Sequence, residues 1–395
     1  MKKFLAMLLA LVMVMGLVAC GGNQPAETKA PAETNAPAES TPAESTPAVD
    51  GTEYKIAMIT DYGDITDQSF NQTTYEAVKA FGEANGVDYR YYRPTGDSTA
   101  ERVGMVEAAI IDGYNVIVMP GFAFGETLAE VADVYPEVKF VALDVADGEG
   151  GFTATENVFS AVYQEQLSGY MAGYAAVKLG YKHLGYLGGM AVPAVQRFGY
   201  GFLQGIDAAA KELNIVSEVK VEYVYGNQFY GDADITAVMD TWYGEKGVEV
   251  VFACGGGIFT SAAEAAAKVE GAKIIGVDTD QAPVINGLYG EGLTVTSALK
   301  GLAPTVKTVL SAIVLEDNWA AYAGKIESLG LVSADPEANY VQIPMESTQW
   351  SDTFTQEDYK ALVAAMFDGT IVVSSDIAEF PVTEVAVEQH PNIKG

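Results

Sequence analysis

The 395-residue chain has two cysteines, two histidines and three tryptophans, and only 22 basic residues against 53 acidic ones. Each scarcity excludes something. A Ser-His-Asp triad would have to use His183 or His390, and no G-x-S-x-G elbow is present. His183 begins an expected strand, and His390 falls in a C-terminus expected to be frayed. No histidine pair, cysteine cluster or calcium-loop pattern offers metal-ligand spacing, so no metal is expected. Gly255-Gly256-Gly257 precedes a helix but lacks the Gly-Lys-Ser/Thr ending of a phosphate loop and the G-x-G-x-x-G spacing. Neither a cofactor nor an enzymatic activity is expected. A net charge of −31 repels nucleic-acid backbones and anionic lipid headgroups, which excludes both as direct partners.

What is present begins at the N-terminus. Lys2 and Lys3 precede an apolar run from Phe4 to Val18 that ends in Leu17-Val18-Ala19-Cys20. This pattern is expected to be a secretory signal over 1–19. The run is too short for a comfortable membrane span. Its ending resembles the bacterial lipobox, which implies cleavage before Cys20 and acylation there. Cys254 is then the one thiol left, and no intramolecular disulfide is possible. Residues 20–53, rich in Pro, Ala, Glu, Ser and Thr, lack large apolar side chains and are expected to form a disordered tether. The acidic surface leaves anchoring to the lipid, on the outer face of a bacterial cytoplasmic membrane.

From Tyr54 onward short apolar runs alternate with helical periodicity. Strands are expected at 54–60, 116–119, 139–143, 184–187, 219–224, 248–253, 273–277 and 293–296. Helices are expected at 69–84, 98–111, 160–178, 193–213, 260–270, 303–314 and 356–367. Near-continuous apolar strands between helices predict an α/β protein with parallel sheets covered on both faces. About eleven strands divide best into two doubly wound lobes, expected at 54–158 plus 283–325 and at 159–282 plus 340–380.

In open parallel sheets, ligands bind beyond the strands' carboxyl ends. Several such ends here carry polar and aromatic residues. Asp61, Phe70 and Asn71 follow the first strand, within Asp61-Tyr62-Gly63-Asp64 and Asp67-Gln68-Ser69-Phe70-Asn71. By residue type alone, the second run is equally readable as half a binding site or as a helix start capped by Ser69 with a core Phe70. Gly226-Asn227-Gln228-Phe229-Tyr230-Gly231-Asp232 follows another strand, where Phe229 can be a packing aromatic or a second stacking ring. Asp278 and Lys300 end two more, and the pair is readable as a ribose clamp or as an inter-lobe salt bridge.

Together the Asp-x-Ser-Phe-Asn run (Asp67, Ser69, Phe70, Asn71), the helix start Pro193–Phe202, the run Gly276–Gln281 and the Thr-Ser-x-x-Lys run ending at Lys300 resemble the basic membrane protein family. These are solute-binding lipoproteins of ABC importers. The resemblance covers about residues 54 to 375. It implies a type I periplasmic-binding-protein fold with a hinge and an inter-lobe cleft. It also implies a nucleoside ligand, a purine nucleoside foremost, and permease subunits as partners of a monomeric binding protein. By position it implies that Phe70 and Phe229 sandwich the base, with Tyr225 and Tyr230 as alternatives to Phe229. Asp61 and Asn71 would bond the base, Asp278 and Lys300 would hold the ribose, and the Gly256 or Gly257 backbone would add a contact. Arg197 and Phe198 are expected to be structural. The competing expectations are a binding protein of the same fold for a sugar or other small polar ligand, and a surface nucleoside hydrolase.

Overall fold

The computed structural model describes residues 53–395, so the expected signal segment, Cys20 and all but the last residue of the tether lie outside the described part. The first sheet holds β1 (Lys55–Ile59), β2 (Asp88–Tyr92), β3 (Val116–Pro120), β4 (Lys139–Leu143), β5 (Val158–Tyr163) and β11 (Lys325–Leu329). The second holds β6 (His183–Gly188), β7 (Lys220–Tyr225), β8 (Val250–Cys254), β9 (Lys273–Asp278), β10 (Thr294–Lys300), β12 (Val341–Gln342) and β13 (Ala386–Gln389). Among the described residues ten α-helices connect and cover them: α1 (Phe70–Asn85), α2 (Thr99–Ile111), α3 (Phe124–Val131), α4 (Glu165–Lys178), α5 (Pro193–Glu212), α6 (Ala233–Thr241), α7 (Phe259–Ala266), α8 (Ala282–Tyr289), α9 (Leu302–Val314) and α10 (Gln356–Phe367).

Spatial order is β11-β5-β4-β3-β1-β2 in the first sheet and β12-β10-β9-β8-β6-β7-β13 in the second. All pairings are parallel except β10 with β12. Each lobe therefore repeats one doubly wound order, β2-β1-β3-β4-β5 and β7-β6-β8-β9-β10, whose order reverses between β1 and β3 and between β6 and β8. The strands are apolar and buried on both faces: every residue of β3 and β8 is buried. The chain passes between the sheets after β5, after β10 and between β11 and β12.

Three expectations change. The second lobe was expected to begin at 159 and a helix at 160, but Val158–Tyr163 form β5 beside β4 in the first sheet, and α4 starts only at Glu165. The interval 283–325 was assigned whole to the first lobe, but β10 pairs with β9 in the second sheet, so the crossing falls after Lys300. The C-terminus was expected to be frayed, but β13 pairs in parallel with β7. His390 and His183 both contact the Glu222 carboxylate, at 2.5 and 3.2 Å. Glu222, Glu388 and His390 bring ligand atoms within 4.8 Å of one another. The Lys246 ammonium, 2.6 Å from Glu222, already supplies the cation there.

The closest helix contact is α4 against α5. A Cβ on Gly169 or Gly173 would lie 2.2 Å from the Phe198 or Phe202 carbonyl oxygen, and one on Gly201 or Gly205 would lie 2.1 Å from that of Gln166 or Tyr170. These four glycines let two backbones touch, which places the start of α5 beneath the cleft. Among the described residues no helix is long and apolar enough to cross a membrane.

Candidate functional site

The loop between β1 and α1 builds one jaw. Asp67 organises it: its carboxylate accepts from the backbone N–H groups of Ser69 (2.9 Å), Asn71 (2.9 Å) and Gln72 (3.0 Å). These are orphan donors of the helix start. The expected cap, Ser69, makes no capping bond; its hydroxyl instead donates to Asp278 Oδ2 across the cleft (2.7 Å). Gln281 Nε2 also crosses, donating to the Gln68 carbonyl (3.0 Å). Capping by Asp67 leaves Phe70 and Asn71 at the first turn, with Phe70 half-buried and Asn71 buried.

Asn71 Nδ2 donates to Asp61 Oδ1 and Asp67 Oδ2, both at 3.2 Å. Its Oδ1 is buried without a partner. Two glycines make room for this pair. A Cβ on Gly63 would meet Asn71 Nδ2 at 2.1 Å, and one on Gly121, just after β3, would meet Asp61 Oδ2 at 2.2 Å. Burial pushes Asp61 from its ordinary 3.8 up to about 6, against the Asn71 and backbone hydrogen bonds.

The second lobe supplies the facing wall. Phe229 lies over the glycine backbone at the ends of β6 and β8, where a Cβ on Gly189 or Gly255 would approach its ring to 2.5 or 3.1 Å. The Phe229 carbonyl accepts from Gly257 N–H (2.9 Å). Of the alternatives, Tyr225 bonds Tyr223 (2.9 Å) and packs against Tyr186, away from the cavity lining. Tyr230 is 62% exposed and lines an outer groove at the cleft mouth.

At the base of the cleft Lys300 is 5% exposed. Its ammonium lies 2.7 Å from Asp144 Oδ2 and 3.0 Å from Glu165 Oε1. It also sits over the rings of Phe70, Tyr163 and Phe198, at 5.1, 5.3 and 5.5 Å from their centroids. Burial opposes its charge, but Asp144, Glu165 and Asp278 prevail and hold its pKa above the usual lysine range. Arg197 pairs with Glu165 (2.5 Å). The alternative reading of the pair as a salt bridge does not hold: Asp278 bonds Ser69, and Lys300 acts on it through its field. Burial raises Asp278 to about 6, against Lys300 and the Ser69 hydrogen bond.

Asp61, Phe70, Asn71, Phe229, Gly256, Asp278 and Lys300 all line one cavity, with a volume of about 650 Å³ including its open mouth. Sequence reasoning missed Asp144 and Phe122, which also line it, and Tyr62, which stacks on Phe122 at 5.8 Å and tilts toward Phe229 at 6.2 Å. It also took Phe198 as structural, whereas Phe198 lines the cavity as well. Asp144 had a findable signal, because it directly follows an apolar strand, much as Asp278 ends one.

The family model for ABC transporter substrate-binding proteins of the PnrA-like type, Bmp, matches residues 54–359. The chain belongs to this family. Its fold is the type I periplasmic-binding-protein fold. A solute-binding protein of an ABC transporter system from Aeropyrum pernix superimposes with a TM-score of 0.63 at 24% identity, covering 81% of this chain and 87% of that one. An ABC transporter nucleoside-binding protein of Lactococcus lactis, BmpA, is 28% identical over 242 residues, 58% of this chain and 65% of its own length, a little under two thirds. Basic membrane protein B of Borreliella afzelii is 26% identical over 287 residues, covering 71% and 79%. The chain is accordingly an ABC transporter substrate-binding protein, and the cavity at its two sheet switch points lies where such folds take ligands.

Proposed function

We propose that this Bmp-family protein captures a nucleoside, with purine nucleosides preferred, between its two lobes and delivers it to the permease of an ABC importer. The observation that carries the reading is the cavity itself. It is lined by a half-buried ring from each lobe, Phe70 and Phe229, by the hydrogen-bonding Asp61 and Asn71, and by Asp278 with Lys300. A planar heterocycle joined to a polyol presents this sequence of demands. Stacking contributes about 1–3 kcal/mol per ring. Asp61 accepts an N–H of the base, while Asn71 Oδ1, buried and unpartnered, accepts a second.

The bonds from Ser69 to Asp278 and from Gln281 to Gln68 join the lobes across the cavity, so ligand and closure reinforce each other. No bond of the ligand is made or broken. The monomer is held at the outer face of the cytoplasmic membrane by acylated Cys20. A ligand at a hundredfold its Kd stabilises the fold by about 2.7 kcal/mol. A thermal-shift panel therefore tests the reading: inosine, guanosine or adenosine should raise Tm. A response to ribose or hexoses with none to nucleosides would overturn it, and release of hypoxanthine from inosine would overturn the binding-only role.

A further inference from the structure

The cavity and the outer groove at the cleft mouth are neighbours: Asp61, Gly63, Asp67 and Phe229 line both. Phe122 lines only the cavity, and Tyr62 only the groove. Tyr62 stacks on Phe122 of its own lobe (5.8 Å, 22°) and tilts toward Phe229 of the other (6.2 Å, 43°). Its ring therefore bridges the two rings that face the cavity and separates the two spaces. Beyond it the groove is roomy, about 1980 Å³ with its open mouth.

Arg102 holds this ring in place. It is 3% exposed, yet among the described residues no carboxylate forms an ion pair with it. Its Nη1 donates to the Asp97 carbonyl (2.9 Å), and its Nε is buried without a partner. Its guanidinium lies over the Tyr62 ring, 5.6 Å from the centroid. A buried charge ordinarily has a counter-ion. Here an aromatic face takes that place, and it attracts a cation most strongly when both are desolvated. Arg102 lines neither the cavity nor the groove, so its charge acts on Tyr62 and not on a ligand.

We propose that Tyr62 is a specificity-determining residue, the end wall that limits the size of the base the cavity accepts. This rests on the nucleoside reading, in which the base edge faces Asp61 and Asn71, and it narrows the substrates to purine nucleosides without a bulky group at that edge. Tyr62 directly follows Asp61, so a large substituent on the exocyclic nitrogen there is driven against the Tyr62 and Phe122 rings. Cutting Tyr62 back to Cβ joins the cavity to the groove and gives such a substituent room.

Calorimetric titration of the full chain with adenosine and N6-benzyladenosine tests this. Wild type should bind the benzyl derivative about 10- to 100-fold more weakly than adenosine, the range of one overpacked group. Tyr62→Ala should narrow that gap at least about 10-fold, and its retained adenosine binding shows that it folds. Tyr62→Phe should keep the gap, because the ring and not the hydroxyl makes the wall. Arg102→Met should narrow the gap in part without lowering Tm, since it removes an unpaired buried charge. Tyr230→Ala, at a residue that lines the groove alone, should keep it. A wild type with no gap, a gap undiminished in both Tyr62→Ala and Arg102→Met, or equal narrowing in Tyr230→Ala would overturn the proposal and leave the nucleoside reading standing. A wild type that binds a free sugar and neither nucleoside would overturn that reading, and this proposal with it.

Discussion

Acidification should weaken nucleoside binding steeply, with a midpoint near pH 6. Burial holds both Asp61 and Asp278 at about 6, and both are proposed to accept hydrogen bonds from the ligand, so the complex needs them ionised. At pH 7.5 each is almost fully ionised in the free protein. At pH 5 each is about nine-tenths protonated and must lose its proton on binding. The linkage factor is about 10 per carboxylate between these two pH values, or about 100 for both, close to 2.8 kcal/mol. Isothermal titration with inosine in buffers of different ionisation enthalpy should show Kd rising about 100-fold from pH 7.5 to 5. At pH 6 about one proton should be released per ligand bound. Inosine does not titrate in this window. A Kd flat to within 2-fold, or net proton uptake, would refute the assignment of these carboxylates as ionised acceptors.

Folding carries the opposite sign at the same groups. A carboxyl whose folded pKa of about 6 exceeds its unfolded 3.8 favours the protonated form in the native state. The stability it contributes is fully present below about pH 4 and is lost as pH rises through 6, by about 3 kcal/mol per group. Asp61→Asn should therefore raise the Tm of the unliganded protein at pH 7.5 while weakening inosine binding. A lower Tm would mean that the Asp61 carboxylate serves the fold and not the ligand.

Phe70→Ala should weaken nucleoside binding by about 1–3 kcal/mol and lower Tm little, because the ring is only half-buried; global unfolding would return Phe70 to a core role. Gly173→Val should lower Tm with a penalty of about 1–3 kcal/mol or more, since its side chain would collide with the Phe202 carbonyl oxygen; an unchanged melt would show that α4 and α5 can separate freely. Deleting 390–395 should weaken inosine binding, because Lys394 pairs with Asp232 (2.8 Å) at the end of the loop that carries Phe229, and Ile393 N–H bonds the Tyr225 carbonyl (2.9 Å). Equal affinity for the truncated chain would show that the loop holds itself. Cys20→Ser should shift the protein from the membrane fraction to the medium, as read by fractionation.

The strands were legible because buried parallel strands are continuous apolar runs. Val116–Pro120 and Val250–Cys254 could hardly be anything else, and the observed bounds fall close to the expected ones for β3, β4 and β6 through β9. Cavity-lining residues were legible where a motif packs them together, as Asp67 to Asn71 does. What failed were questions that only the third dimension answers. Ser69 occupies a cap position and has a capping side chain, yet a carboxylate two residues earlier takes the helix donors, and this frees the hydroxyl to reach another lobe. The C-terminal strand was missed because Ala386–Gln389 is mostly exposed and acquires its geometry from pairing with β7.

Lys300 shows the same limit in its electrostatics. A lone lysine at a strand end has several acidic neighbours along the chain, and Asp278 is the nearest that also ends a strand. The partner it takes, Asp144, is 156 positions away and meets it because β4 and β10 converge on the cleft from different sheets. Both aspartates follow from one structural repeat: a left-handed residue stands at or just after the end of the fourth strand of each doubly wound order, and in both lobes that residue is acidic. A single lysine placed between two such ends offsets part of their charge in the closed form. In an open form it would leave Asp144 on one lobe while Lys300 stayed on the other. Closure is therefore coupled to an ion pair buried on both sides, whose loss uncovers charge on each lobe. The pair is thus one that makes an empty closed cleft tenable.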